Sequence, residues 1–291
     1  MSVLAGAVEG SITMAAPLLL ASLGETVVQK SGVVNVGLEG MILTGSLAAV
    51  VGSQITHNAV TGVLIAAIAG AVMALIFSVF AIRLAANQVV VGVVINLMAL
   101  GITGTLSRAI FGHQQTFVTV VGLQHYFANQ TLLTPIALLC VPVIWWWLQR
   151  TRGGLELRAT GEQPTAAQAA GIDVLALRSR AAVFGGVMAG IAGACLTVGD
   201  VPTFQENMSA GRGFIALAIV TSGRWNTLGC LVASLIFGAS EELEIQGQAM
   251  GLHVPHDLLL AAPYVITLFI LMSGARAGKA PGALGLPYIK P

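Results

Sequence analysis

In the stretch SGVVNVGLEGM, residues 31–41, Asn35 and Glu39 follow Lys30 and stand among glycines between two apolar runs. Amides and a carboxylate in such a setting can hold an interrupted helix or touch a polar solute; alone they make and break no covalent bond. Farther on, AANQVVVGVVINLMALG opens with Asn87 and Gln88 and carries Asn96 inside its apolar run. An amide at that depth needs a partner or a water-filled cavity. Asn35, Glu39, Asn87, Gln88 and Asn96 are therefore candidate pathway residues. Two other readings stay open: a solvated turn with Lys30 and Glu39 at the headgroups, and, for Asn96, a hydrogen bond that merely joins two helices.

A second polar group lies in DVPTFQENMSAGRGF, where Asp200, Glu206, Asn207 and Arg212 are candidates for an outer gate or for docking a delivering protein. The alternative is a solvated loop with one ion pair of small worth. A third stretch, RATGEQPTAAQAAGID, reads as a short helix, with Pro164 in its first turn, alanines through Ala170, and Gly171 as its stop. Its face of Thr165, Ala166, Gln168 and Ala169 suits a groove on a partner, although an ordinary surface helix would have the same look. HVPHD offers His253, His256 and Asp257, but Pro255 breaks the helical spacing of metal ligands, and no metal is expected. Neither a phosphate-binding GxxxxGK[ST] loop, nor a GxSxG elbow, nor an HExxH helix is present, so no ATPase or hydrolase chemistry is expected of this chain.

These groups must be positioned by elements suited to lipid. The 291 residues are 56% hydrophobic and 9% charged, with a mean hydropathy of +0.88, outside the range of soluble domains. The 35 glycines and abundant alanine suit close helix packing in a membrane. The composition predicts an all-α polytopic bundle. A formal net charge of +1 without a basic run excludes a nucleic-acid partner. Cys140, Cys195 and Cys230 all fall in apolar segments, as small packing residues do. No basic region precedes the first apolar stretch, so it reads as a retained helix and not a cleaved signal.

A span needs about 20 apolar residues. Segments 11–28, 59–82, 89–106, 132–148 and 181–198 approach that; 41–54, 213–222, 228–240 and 258–273 are shorter or cut by glycine and read as tilted, broken or re-entrant. About eight to ten crossings follow. Arg150, Arg152, Arg158, Arg178 and Arg180 concentrate in the polar segment 149–180, behind the tryptophans 145–147, which places that segment in the cytoplasm. An even number of later crossings returns Arg276, Lys279 and Lys290 to the same side and leaves the acidic segment 241–257 outside. A faint internal repeat, GLEGMI (37–42) with AGRGFI (210–215) and VMALIF (72–77) with VASLIF (232–237), predicts two inverted halves joined by 149–180 within one transmembrane domain, 1–291. On that arrangement Glu39 and Arg212 belong to opposite sides of the membrane.

Five stretches, LGETVVQKSGVVNVGLEGMILTGS, NQVVVGVVINLMALGI, GEQPTAAQAAGI, SAGRGFIALAIVTSGRWNTLGC and APYVITLFILMSG, run in order from Leu23 to the tail. Together they resemble the permease subunit of ABC-type importers, in the simple-sugar and nucleoside branch. The form of SGVVNVGLEGM with GRGFIALAIVTSGRWN looks closer to nucleoside permeases served by a binding lipoprotein than to ribose-type permeases. The resemblance implies a bacterial-type cytoplasmic (inner) membrane. It implies that residues 162–172, including Glu162, form a coupling element seated in a separate ATP-binding subunit. That subunit would hold ATP and Mg, with no cofactor on this chain. It also implies a second permease chain, a paralogue, and an extracytoplasmic solute-binding protein. Gln163 stands where related loops often carry Asn. Two rivals differ in class: an ion-driven secondary transporter, which usually keeps acids or histidines in its spans, and a membrane enzyme, which needs a converging acid, base or metal.

Overall fold

A computed structural model describes residues 3–112, 120–124, 130–249, 265 and 280–289. Ten α-helices lie in them: α1 (Val3–Lys30), α2 (Leu38–Thr56), α3 (Ala59–Phe77), α4 (Gln88–Phe111), α5 (Leu133–Arg150), α6 (Arg152–Glu162), α7 (Pro164–Ala169), α8 (Val174–Ala194), α9 (Arg212–Ser222) and α10 (Thr227–Ala249). Wider π turns extend α3 through Ser78–Arg83 and α8 through Cys195–Asp200. Among the described residues, six helical stretches are long and apolar enough to cross a membrane: Gly6–Lys30, Leu38–Thr56, Ala59–Arg83, Gln88–Phe111, Leu133–Arg150 and Val174–Asp200. The protein is a polytopic membrane protein built as a helical bundle. The 11-residue α9 is only about 16 Å long at 1.5 Å per residue, half a bilayer core.

Two elements differ from expectation. The polar segment 149–180 is not mainly loop: Thr151 accepts the Gly154 N–H at 3.1 Å and starts α6, and Asp173 accepts the Ala176 N–H at 3.0 Å and starts α8. The acids from 241 onward do not all leave the bundle. Helix α10 continues through Ala249 and keeps Glu241 paired with Arg212. Apart from Val265, the segment 258–273 lies outside the described residues, as do the HVPHD group, Arg276, Lys279 and Lys290.

Helices α1 and α8 run antiparallel. Ser31, just past α1, meets Arg178 in the first turns of α8; Gly24 faces Gly185 and Met188 midway; Thr13 and Pro17 share a small cavity with Cys195 and Asp200 at the other extreme. Each of these two helices packs against the long third helix of the opposite half. Helix α1 lies on α10, where Gly238 abuts Ser11 and Ala15 and Thr26 touches Cys230 at 3.3 Å; α8 lies on α3, where Gly186 and Gly190 abut Gly70 and Ala66. This exchange is what a two-fold relation between inverted halves produces. Glycine is required at Gly190, because a methyl there would run into the backbone of Ala66, so the close approach is set by main chain and no side chain can yield. The end of the bundle carrying α6 and α7 is termed the near end, and the opposite one the far end.

Candidate functional site

Two irregular segments enter the bundle from opposite ends. Residues 31–37 leave α1 at the near end, where Gly32 (φ +93°) sits beside Arg178, and climb inward to α2. Ser31, Val33 and Asn35 are fully buried in this climb, so the segment is not a solvated turn. Residues 201–211 leave the α8 extension at the far end and reach α9 through Gly211 at φ +84°. Irregular backbone at such depth needs partners from surrounding protein.

The near segment finds them in the amides read from sequence. Gln88 Oε1 accepts the Val34 N–H at 2.8 Å, and Asn35 Oδ1 accepts the Gly37 N–H at 3.1 Å. Asn96 grips both sides of the break, accepting the Gly40 N–H at 2.8 Å and donating to the Val36 carbonyl at 3.0 Å. Each bond satisfies a backbone group that has no helical partner, including one of the first N–H groups of α2. Asn87 stands apart: it caps α4 by accepting from Val89 and Val90 at 3.0 and 3.2 Å, on an exposed turn.

Glu39 joins the halves. Its Oε1 accepts the Gly211 N–H at 2.8 Å and its Oε2 accepts the Gly213 N–H at 2.6 Å, both at the start of α9. Glu39 also lies in the first turn of α2, so one carboxylate stands at the N-termini of two helices. From this junction α2 runs toward the far end beside α8, with Gly45 on Gly190 and the Ser46 hydroxyl donating to the Gly193 carbonyl at 3.0 Å. Helix α9 runs the other way, toward Trp225 and the near end of α1. The expected separation of Glu39 from the Arg212 motif is thus corrected. The repeat is inverted, but its two breaks converge at mid-depth, because each re-entrant segment carries its motif inward from its own face.

Arg212 itself turns away from Glu39, donating to the Met208 carbonyl at 3.2 Å and pairing with Glu241 of α10. Glu206 forms a two-pronged pair with Arg108 at the far end of α4, at 2.7 and 3.0 Å, which holds its carboxyl below the usual range. Asn207 adopts φ +60° in an exposed turn, and Asp200 ends the α8 extension, also exposed. Of the outer candidates, Glu206 and Arg212 are thus each anchored in an ion pair.

At the near end, α7 occupies the predicted stretch, and Gly171 at φ +86° closes it with its N–H on the Gln168 carbonyl at 2.9 Å. Thr165, Ala166 and Ala169 are exposed, Gln168 and Pro164 are half-buried, and Ala167 faces inward. Glu162, exposed at the end of α6, accepts the Gly282 N–H at 3.1 Å.

Sequence reasoning missed a buried cluster on α1. Glu25 and Gln29 are one helical turn apart, and Gln29 Nε2 donates to Glu25 Oε1 at 3.0 Å. The same Oε1 accepts the Asn35 N–H at 3.1 Å, and Trp225 Nε1 donates to Gln29 Oε1 at 2.7 Å. This ties α1, the break and the end of α9 together. The available signal was a lone glutamate inside the apolar run ASLGETVVQ. Arg178 was missed as well: counted as a solvated loop charge, it is 2% exposed.

Among the described residues, a helical membrane bundle with two converging broken helices has the form of a transport component. Residues 7–272 match the family model described as branched-chain amino acid transport system / permease component, and the chain belongs to that family. It is the permease of an ABC-type transporter. Across 97% of its length it is 34% identical to the guanosine ABC transporter permease protein NupQ of Bacillus subtilis, covering 96% of that protein. It is 35% identical over 92% of its length to a putative glucose ABC transporter permease of Haloferax volcanii, covering 86% of it. The nucleoside ABC transporter permease protein NupC of Lactococcus lactis is 32% identical over 94% of this chain and 93% of its own length. No solved structure matches the chain.

Proposed function

We propose that this chain forms the translocation pathway for a nucleoside in an ATP-driven importer of a bacterial-type inner membrane. The observation that carries the reading is the Glu39 junction: α2 and the short α9 diverge from one point, and the segments leading to it arrive from opposite faces. Such a junction is a natural place for a pathway that opens to one side at a time, since displacing either segment unseats its own partners first. Asn35, Glu39, Gln88 and Asn96 form its near wall, and Asp200, Glu206, Asn207 and Arg212 flank its far mouth. A neutral cargo is in keeping with a wall of amides, glycines and few charges, which binds without trapping.

The α6–α7 end lies in the cytoplasm on this reading, in line with its arginines. The face of Thr165, Ala166 and Ala169 seats in a cleft of an ATP-binding subunit, which holds ATP and Mg; this chain holds neither. A second, paralogous permease chain completes the pathway, and a solute-binding protein docks at the far mouth. Nucleoside cargo is favoured by the similarity to the guanosine and nucleoside permeases over nearly the whole chain. The glucose relative makes a simple sugar the second reading.

The test is uptake into proteoliposomes holding the full complex, with labelled guanosine and labelled glucose compared. The proposal expects guanosine uptake that needs internal ATP and ignores proton and sodium ionophores. Uptake of glucose alone overturns the cargo, and collapse by an ionophore with indifference to ATP overturns the drive.

A further inference from the structure

Segment 280–289 folds back across the near end and touches three separate parts of it. The Ala283 N–H donates to the Gly161 carbonyl at 2.8 Å, and the Gly282 N–H to Glu162 Oε2 at 3.1 Å, both at the end of α6. Tyr288 buries its ring among Ala167 of α7 and Val174 of α8. The Gly285 N–H donates to the Gly32 carbonyl at 3.0 Å, at the foot of the break.

Arg178 fastens the same segment to the same break. Its Nε donates to the Ser31 carbonyl at 3.0 Å and its Nη1 to the Leu286 carbonyl at 3.0 Å, while its guanidinium carbon stands 6.0 Å from the centre of the Tyr288 ring. Among the described residues no carboxylate pairs with it. A buried guanidinium bonded only to main-chain carbonyls is a poor source of net stability, because desolvation offsets most of its gain. It does fix where two non-helical strands of backbone lie relative to each other. Gly32 completes the lock: with any side chain it would collide with Arg178 and crowd the Ala283 carbonyl, and its φ of +93° suits glycine alone.

We infer that segment 280–289 is a transmission strap, and that Arg178 is the positioning residue that couples it to the break. Movement of α7 displaces Tyr288, the strap follows, and the pull arrives at Ser31 and Gly32. From there it passes through Asn35 to Glu25, and through Val34 and Val36 to Gln88 and Asn96. The coupling path is a chain of contacts between named groups, with the irregular break as the element that has two positions. This rests on the reading of α7 as the docking helix of the ATP-binding subunit.

The test uses the full chain with Tyr288→Ala, Arg178→Gln and Arg178→Lys. Hydrogen–deuterium exchange of the chain in detergent is expected to rise at residues 31–37 in Tyr288→Ala and Arg178→Gln, with α2 unchanged. In the complex, both variants keep the ATP-binding subunit and hydrolyse ATP, while nucleoside taken up per ATP falls by about tenfold; Arg178→Lys recovers part of the loss. Unchanged exchange at 31–37, or hydrolysis and uptake falling in parallel as the subunit is lost, overturns the strap. Should the wild-type chain itself fail to hold an ATP-binding subunit, the docking reading falls, and the exchange comparison alone still decides whether strap and break are coupled.

Discussion

Glu39 accepts the backbone N–H of Gly213 at 2.6 Å across 174 residues of chain, and with Gly211 it closes the start of α9 by a side chain of α2. The two halves of the repeat are stitched together at their breaks. Replacing Glu39 with Gln leaves one oxygen for two donors and turns an amide NH2 against a helix N-terminus. The expected cost is about 1–3 kcal/mol of stability for the unpaired buried group, read as a lower Tm in detergent, with uptake reduced even at matched expression. Glu39→Gln with unchanged Tm and uptake would show that the junction is incidental.

The break depends equally on α1. Glu25→Leu removes the acceptor of both the Asn35 N–H and the Gln29 amide. With those donors left buried, a loss of about 1–3 kcal/mol is expected. Trp225 emission should shift in the same variant, because its indole N–H is held by Gln29. Equal thermal stability and identical emission would contradict the cluster.

Much of this arrangement was legible in the sequence, and the rest was hidden for identifiable reasons. Asn35, Glu39 and Asn96 stood out because polar groups among glycines in an apolar run have few stable settings, and α7 was marked by Pro164 and Gly171. Inversion was legible from two short matches. The convergence of the halves was not, since hydropathy reports depth along one helix and says nothing of which distant backbone a carboxylate will meet. Charge misled twice. Arg178 and Glu241 look solvated by type, yet one is locked among carbonyls and the other is paired with Arg212 inside the bundle.

The glycine seams predict a steric test. A methyl at Gly45 would meet the Gly190 backbone at 2.6 Å, a contact no rotamer relieves. Gly45→Val should cost at least about 1–3 kcal/mol through overpacking and lower the yield of monodisperse protein. Gly101→Val, where no described residue comes within 4 Å of an added methyl, is the control and should be neutral.

The far-end pair predicts a pH dependence. Arg108 holds the Glu206 carboxyl below its ordinary range, so the folded form prefers the carboxylate more than the unfolded form does. Its contribution is present above the unfolded carboxyl pKa and is lost as pH falls through the depressed folded value. Both groups are solvent-exposed, so the effect is small and screened by salt. The Tm difference between wild type and Glu206→Gln should therefore narrow in acid and in high salt; a gap that widens in acid would reverse the assignment.

The two faces of α7 predict contrasting outcomes. Ala166→Glu with Ala169→Glu alters only exposed positions and should abolish co-purification of an ATP-binding subunit while leaving Tm unchanged. Ala167→Glu puts a charge against Tyr288 and should lower Tm as well. Retention of the subunit by the double variant would remove α7 from the docking surface.

The central claim is that the segments on either side of the Glu39 junction open in turn. Its most direct measurement is modification of single cysteines at Val34 and Asn207, in a background lacking the three native cysteines, by an impermeant thiol reagent applied from each face of the assembled complex. The account predicts reciprocal change: trapping the ATP-bound state raises the rate at one position and lowers it at the other. Rates that rise or fall together, or that ignore ATP, would contradict it.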